Sequence, residues 1–126
     1  MTSPPPTDAE LEILRIIWTR GPSTVREVHE RISDMKTVGY TTVLKQMQVM
    51  HGKGLLARSD RFRSHVYEPV QSRTQTQRQL AASMLRQVFD GSARQLLQSA
   101  LAGRKVDPRE LKQIRELLDN YERKSK

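Results

Sequence analysis

The sequence predicts a mainly α-helical protein with a small β wing, a winged helix-turn-helix domain followed by a helical dimerisation domain. Three observations carry that expectation. Apolar residues recur at helical spacing in six stretches, each bounded by capping residues, glycine or proline. Two short strand-like pieces lie between the third and fourth of these. Positive charge collects on the third helix and the hairpin rather than spreading evenly.

Residues 1–6 read as a disordered, proline-rich lead. Thr7-Asp-Ala-Glu10 is a capping box, and Leu11, Leu14, Ile17 and Trp18 follow on one helical face that stops at Gly21-Pro22. A second box, Thr24-Val-Arg-Glu27, opens a short helix with Val25, Val28 and Ile32 inward. The third helix, YTTVLKQMQVMHG, turns Val43, Met47 and Met50 to the core and ends where Gly52 or Gly54 supplies a left-handed residue. Leu55–Arg58 and Val66–Val70 are predicted strands around a turn at 59–65, with Pro69 at an edge or at the end of the pairing. Residues 7–70 thus make a helix-turn-helix with a wing.

Residues 71–126 change character. Thr74–Phe89 is predicted helical with Leu80, Met84, Leu85 and Val88 inward, stopped by Asp90-Gly91. A shorter helix spans Ser92–Ala102 with Leu96, Leu97 and Leu101. Asp107-Pro-Arg-Glu110 combines an N-cap, a first-turn proline and a capping acid, and opens a last helix carrying Leu111, Ile114, Leu117, Leu118 and Tyr121. Phe89 and Tyr121 are the segment's only aromatics, too little bulk to cover three apolar stripes. A two-fold partner would bury Leu80, Met84, Val88, Leu97, Ile114, Leu117, Leu118 and Tyr121.

Of the 126 residues 36% are hydrophobic, and the formal net charge is +8, which points to nucleic acid or an anionic surface. Residues 1–35 hold four arginines against six acids, a net of −2. Residues 36–65 hold six lysines and arginines against Asp60 alone, a net of +5. Phosphate neutralisation asks for that local excess. The outer face of the third helix carries Thr41, Thr42, Lys45, Gln46 and Gln48, side chains that both donate and accept toward base edges. Tyr40 or Thr41 at its start suits a phosphate, helped by free backbone N–H groups. Arg61, Arg63 and His65 in the wing suit a backbone or minor-groove contact. Each of these residues taken alone also fits a solvated surface; the combination favours double-stranded DNA.

Other classes find less support. Cysteine is absent, which removes disulfides and thiolate metal sites and fits a reducing compartment. No cofactor or metal is expected. His29, His51 and His65 fall on separate elements, no paired carboxylates flank an apolar pocket, and Gly52-Lys-Gly54 ends a helix where a phosphate loop would begin one, so an enzyme is not expected. A metal-responsive regulator or a winged-helix protein-interaction module remains as the alternative. The acidic, proline-rich start lacks a signal-peptide core. The run Ile13–Trp18 is broken by Arg15 and too short to span a bilayer, so a cytoplasmic protein without membrane insertion is expected.

The stretches LEILRIIWTRGPSTVREVHERI, YTTVLKQMQVMHGKGLL and RSHVYEPV, with a helical tail behind them, resemble the penicillinase-repressor family of β-lactamase and methicillin-resistance repressors. The resemblance runs from residue 8 onward and is most specific in the first domain. It implies a homodimeric winged-helix repressor on a palindromic operator, joined through its C-terminal helices. It also implies inactivation through a membrane sensor protease pathway, by cleavage within the dimerisation domain. Layout puts the corresponding bond at Ser99–Ala100, where the family's Asn–Phe pair is not present. Copper-responsive relatives use a C-terminal cysteine cluster, which this sequence lacks.

Overall fold

The computed structural model describes residues 5–61 and 63–125. The expected disordered lead falls outside them except for Pro5 and Pro6, which belong to no element, and the side chain of Arg61 is also outside. The element order is α1 (Asp8–Arg20), α2 (Val25–Ser33), α3 (Tyr40–Gly52), β1 (Leu56–Arg61), β2 (Ser64–Pro69), α4 (Arg73–Gln87), α5 (Ala93–Leu101) and α6 (Pro108–Lys124). The chain is a mainly helical winged helix with a two-stranded antiparallel wing.

Both capping boxes form as read. Thr7 Oγ1 accepts from the Glu10 N–H while Glu10 accepts from the Thr7 N–H, and Thr24 and Glu27 repeat the exchange. Gly21 then ends α1 at φ +98°, which a Cβ would strain. Ile13, Leu14 and Ile17 of α1, Val25, Val28 and Ile32 of α2, and Val43, Met47 and Met50 of α3 meet Leu56 and Tyr67 in one buried core. Roughly 1.5–3 kcal/mol per buried aliphatic side chain makes this cluster the main source of the unit's stability.

The wing differs from expectation in length. The strands run in to residues 61 and 64, leaving only two residues between them where a seven-residue turn was predicted. Ser59, Asp60, Ser64 and His65 are weak strand formers and read as turn, but antiparallel pairing with Asp60 opposite His65 overrides that propensity. Pro69 closes the ladder opposite Leu56, at its end as foreseen. The wing also gains a partner: Ser23, between α1 and α2, exchanges both backbone hydrogen bonds with Tyr67 at 2.9 and 2.8 Å.

Backbone proximity divides the chain at Ala81, so the first compact unit takes in the opening turns of α4 beyond Val70. Those turns begin with a third capping box, Ser72 with Gln75, and bury Thr76. The second unit holds the rest of α4, then α5 and α6. α4 ends at Gln87, two residues before the expected Phe89, and Asp90 and Gly91 turn the chain beyond it at φ +50° and +82°. None of the described residues of this unit is buried. Leu80, at the close of the first unit, and Leu85 are half-buried, whereas Met84 and Val88, expected inward, are exposed.

Candidate nucleic-acid interface

Helical geometry sorts α3 into three stripes. Val43, Met47 and Met50 are wholly buried and fix the helix against the core. Thr41, Lys45 and Gln48 form an exposed stripe. Thr42, Gln46 and Val49 form a neighbouring one, in which Gln46 is half-buried. Lys45, Gln46 and Val49 border a shallow hollow whose other side is Thr7 and Glu10 of the α1 start. Val49, an apolar residue on this otherwise polar face, is half exposed there.

The start of α3 is distinctive among the described helices. The other five helix starts each have a side chain accepting from a first-turn N–H: Thr7, Thr24, Ser72, Ser92 and Asp107. Gly39, at the start of α3, has none to offer. Tyr40 stands beside it, its ring edge-to-face with His29 of α2 at 5.7 Å. His29 Nε2 lies 2.8 Å from the Val38 carbonyl, an acceptor, so this nitrogen carries the proton and ties α2 to the turn before α3. In the sequence His29 stands only as one of three scattered histidines; its i+9 partner gives no local signal.

The charge excess of residues 36–65 is partly spent inside the fold. Lys53 Nζ lies 2.8 Å from Glu10, and Lys36 Nζ 3.1 Å from Glu12, so two of the six cations, one on either side of α3, tie back to α1. Burial pushes the Glu10 carboxyl up. The Lys53 hydrogen bond and the Thr7 backbone N–H outweigh it and hold Glu10 below its ordinary value. Glu27 is likewise held low, first by the Thr24 N–H and then, against burial, by Arg20, with which it forms an ion pair. Lys45, Arg58 and Arg63 remain exposed. Arg63 sits at the wing tip at φ +67°, a left-handed conformation rarely taken by a residue with a side chain. His65 is not a free donor: its Nδ1 pairs across the ladder with Asp60.

The expected interface residues of the second unit are exposed or half-buried. Leu97 and Ile114 are half-buried, and Leu117, Leu118 and Tyr121 are exposed on α6. Ser99 and Ala100 lie exposed in the last turns of α5, not in an open loop. Among the described residues no three His, Asp or Glu side chains gather as a metal site, and no helix is long and apolar enough to cross a membrane.

The penicillinase repressor family, compared with the chain, matches residues 6–120. The transcriptional regulator BlaI of Mycobacterium tuberculosis is 35% identical over 89 residues, which is 70% of this chain. The chain spans 64% of the length of that relative. The penicillinase repressor of Bacillus licheniformis is 22% identical over 120 residues, 95% of this chain and 94% of the repressor. Among solved structures, the solution structure of the monomeric form of Bacillus licheniformis BlaI in complex with the blaP half-operator is similar, with a TM-score of 0.51 and 27% identity over 58% of this chain and 89% of that one. The family match covers the winged unit, α4 and α5, and ends within α6. This chain belongs to the penicillinase-repressor family.

Proposed function

We propose that this chain is a homodimeric, cytoplasmic transcriptional repressor that reads a palindromic operator with α3 and grips the flanking backbone with its wing. The observation that carries the reading is the pair of exposed stripes on α3, donors and acceptors held outward by the fully buried Val43–Met47–Met50 stripe behind them. Thr41, Thr42, Lys45, Gln46 and Gln48 match the mixed donor–acceptor pattern of major-groove base edges. Tyr40, Thr41 and the uncapped N–H groups of the first turn suit a phosphate. Arg61, Arg63 and Arg58 supply sequence-independent charge, and His65, its Nδ1 taken by Asp60, leaves Nε2 for a backbone or minor-groove contact. BlaI of Bacillus licheniformis in monomeric form is in complex with a half-operator, which fits a winged unit that grips one half-site by itself.

Dimerisation is supported by the second unit, which lacks a core of its own. Met84 and Val88 beside Leu80, and Ile114, Leu117, Leu118 and Tyr121 beside Leu97, are the stripes a second copy would cover. Release follows by the same physics: cleavage at Ser99–Ala100, fed by a membrane sensor protease pathway, would separate α6 from the rest. Because that bond lies within α5, the helix must first unwind locally.

The test starts from an operator selected by the chain from random duplexes. Lys45→Ala and Gln46→Ala should lose about 1–3 kcal/mol on it and much less on random DNA. Arg63→Ala should weaken both alike and flatten the salt dependence by about one unit. Equal losses on both DNAs for all three variants would overturn the assignment of α3. A chain that shifts no duplex at near-physiological salt would instead favour a protein-interaction module.

A further inference from the structure

Three residues join the wing to α4, and each of them, with Arg73 at the start of the helix, is engaged within the first compact unit. The Val70 N–H donates to the Leu55 carbonyl at 3.1 Å. The Gln71 carbonyl accepts from the indole Nε1 of Trp18 at 3.1 Å. Ser72 caps α4 in reciprocal exchange with Gln75. The Arg73 guanidinium lies over the Trp18 ring, 5.8 Å from its centroid, and donates to Thr19 Oγ1 at 2.9 Å. Thr76, one turn on, is buried. A connector that served only as a tether would need none of this. Polar contacts bridging 53 and 54 residues of sequence leave no slack between the last strand and the helix that follows.

We propose that Trp18, Gln71 and Arg73 form a latch that determines specificity for operator spacing: it fixes how α4 departs from the winged unit, and so which separation of half-sites a dimer accepts. The inference rests on the dimeric reading above. Its physical basis is the difference between stiff and slack linkage. A slack joint lets two reading heads meet half-sites over a range of separations, whereas a stiff one gives a high effective concentration at one separation and little elsewhere. Trp18, Gln71 and Arg73 are positioning residues in this scheme, touching no DNA.

The experiment uses the full-length chain and a pool of random duplexes. The parent, Arg73→Ala and Trp18→Phe, which keeps a ring but loses the indole donor, each select binding sites. Arg73 is exposed, so its removal leaves the core intact. Trp18 is the only tryptophan, so its fluorescence reports loss of the overlying guanidinium directly. The parent should recover paired half-sites at one separation. Both variants should recover the same half-site sequence at separations spread over several base pairs. Their preference for the parent's separation over one displaced by half a helical turn should fall at least about fivefold, with binding to a single half-site changed less than twofold. Variants that keep the parent's single separation overturn the latch and leave the dimeric reading standing. A parent that recovers only single half-sites overturns both.

Discussion

Glu10 is a carboxylate in the first turn of α1, 5% exposed, and its ionised state is held there chiefly by Lys53, with the Thr7 N–H beside it. A buried acid whose partner is removed keeps the cost of desolvation without the compensation. Lys53→Met should therefore destabilise the winged unit by about 1–3 kcal/mol at pH 7. The sign of the pH effect follows from the depressed carboxyl. A folded value below the unfolded one gives stability that is complete above about pH 4.3 and drains away as pH falls through the lower folded value. Glu27 adds to the parent's acid sensitivity in the same sense. Urea midpoints of parent and Lys53→Met should consequently differ at pH 7 and draw together as pH falls through the lowered folded value of Glu10. A gap of constant size would mean that the pair contributes through packing rather than charge. The same lysine is a warning about reading charge from sequence: a local net of +5 overstates what faces solvent, since Lys36 and Lys53 are committed to α1.

At the scale of the element, α3 stands apart for lacking a side-chain cap. Gly39 has φ −75° and ψ 146°, the usual geometry of a capping residue, and a Cβ there meets nothing nearer than Thr42 Oγ1 at 3.9 Å. Gly39→Asp should thus fit, cap the helix and raise thermal stability by a few tenths of a kcal/mol. It should also occupy the N–H groups proposed above to meet a phosphate and place a negative charge there, lowering DNA affinity at least about tenfold at low salt. A capped variant that binds as well as the parent would show that the open start has no role in binding. What the sequence disclosed at this scale was governed by locality. Thr7 to Glu10 and Thr24 to Glu27 are three residues apart, and the Val43–Met47–Met50 stripe repeats within one helix, so both were legible. Trp18 to Gln71, His29 to Val38, Lys53 to Glu10 and Ser23 to Tyr67 are partnerships made by folding, and no spacing announces them. The strands were drawn short for a related reason, because pairing across the hairpin outweighed the turn-like residues Ser59 and Asp60. The start of α4 was placed at Thr74 although Ser72-Arg-Thr-Gln75 is a capping box with glutamine in the acid's place, a signal that was present.

The molecule as a whole pairs a unit that closes its own core with one that does not. Leu118 is 54% exposed in the single chain, so Leu118→Glu costs an isolated copy almost nothing. Across a two-fold seam the same charge would be buried without a partner, at several kcal/mol. Sedimentation at micromolar concentration should find the parent dimeric and Leu118→Glu monomeric, with the helical signal of the winged unit retained and affinity for the selected palindrome reduced at least about tenfold. A monomer that holds the palindrome as tightly as the parent would break the link between assembly and repression. The bridge between Ser23 and Tyr67 bears on how such a chain is made. Forty-four residues separate its two halves, so α1 and α2 leave the ribosome well before the strand that locks the turn between them exists. Until residue 67 emerges, the backbone groups of Ser23 have only water to bond, and Tyr67, the largest side chain of the core, is missing from it. The core of the nascent winged unit is therefore closed in one late step rather than helix by helix, and a chain stalled short of Tyr67 is a target for proteolysis.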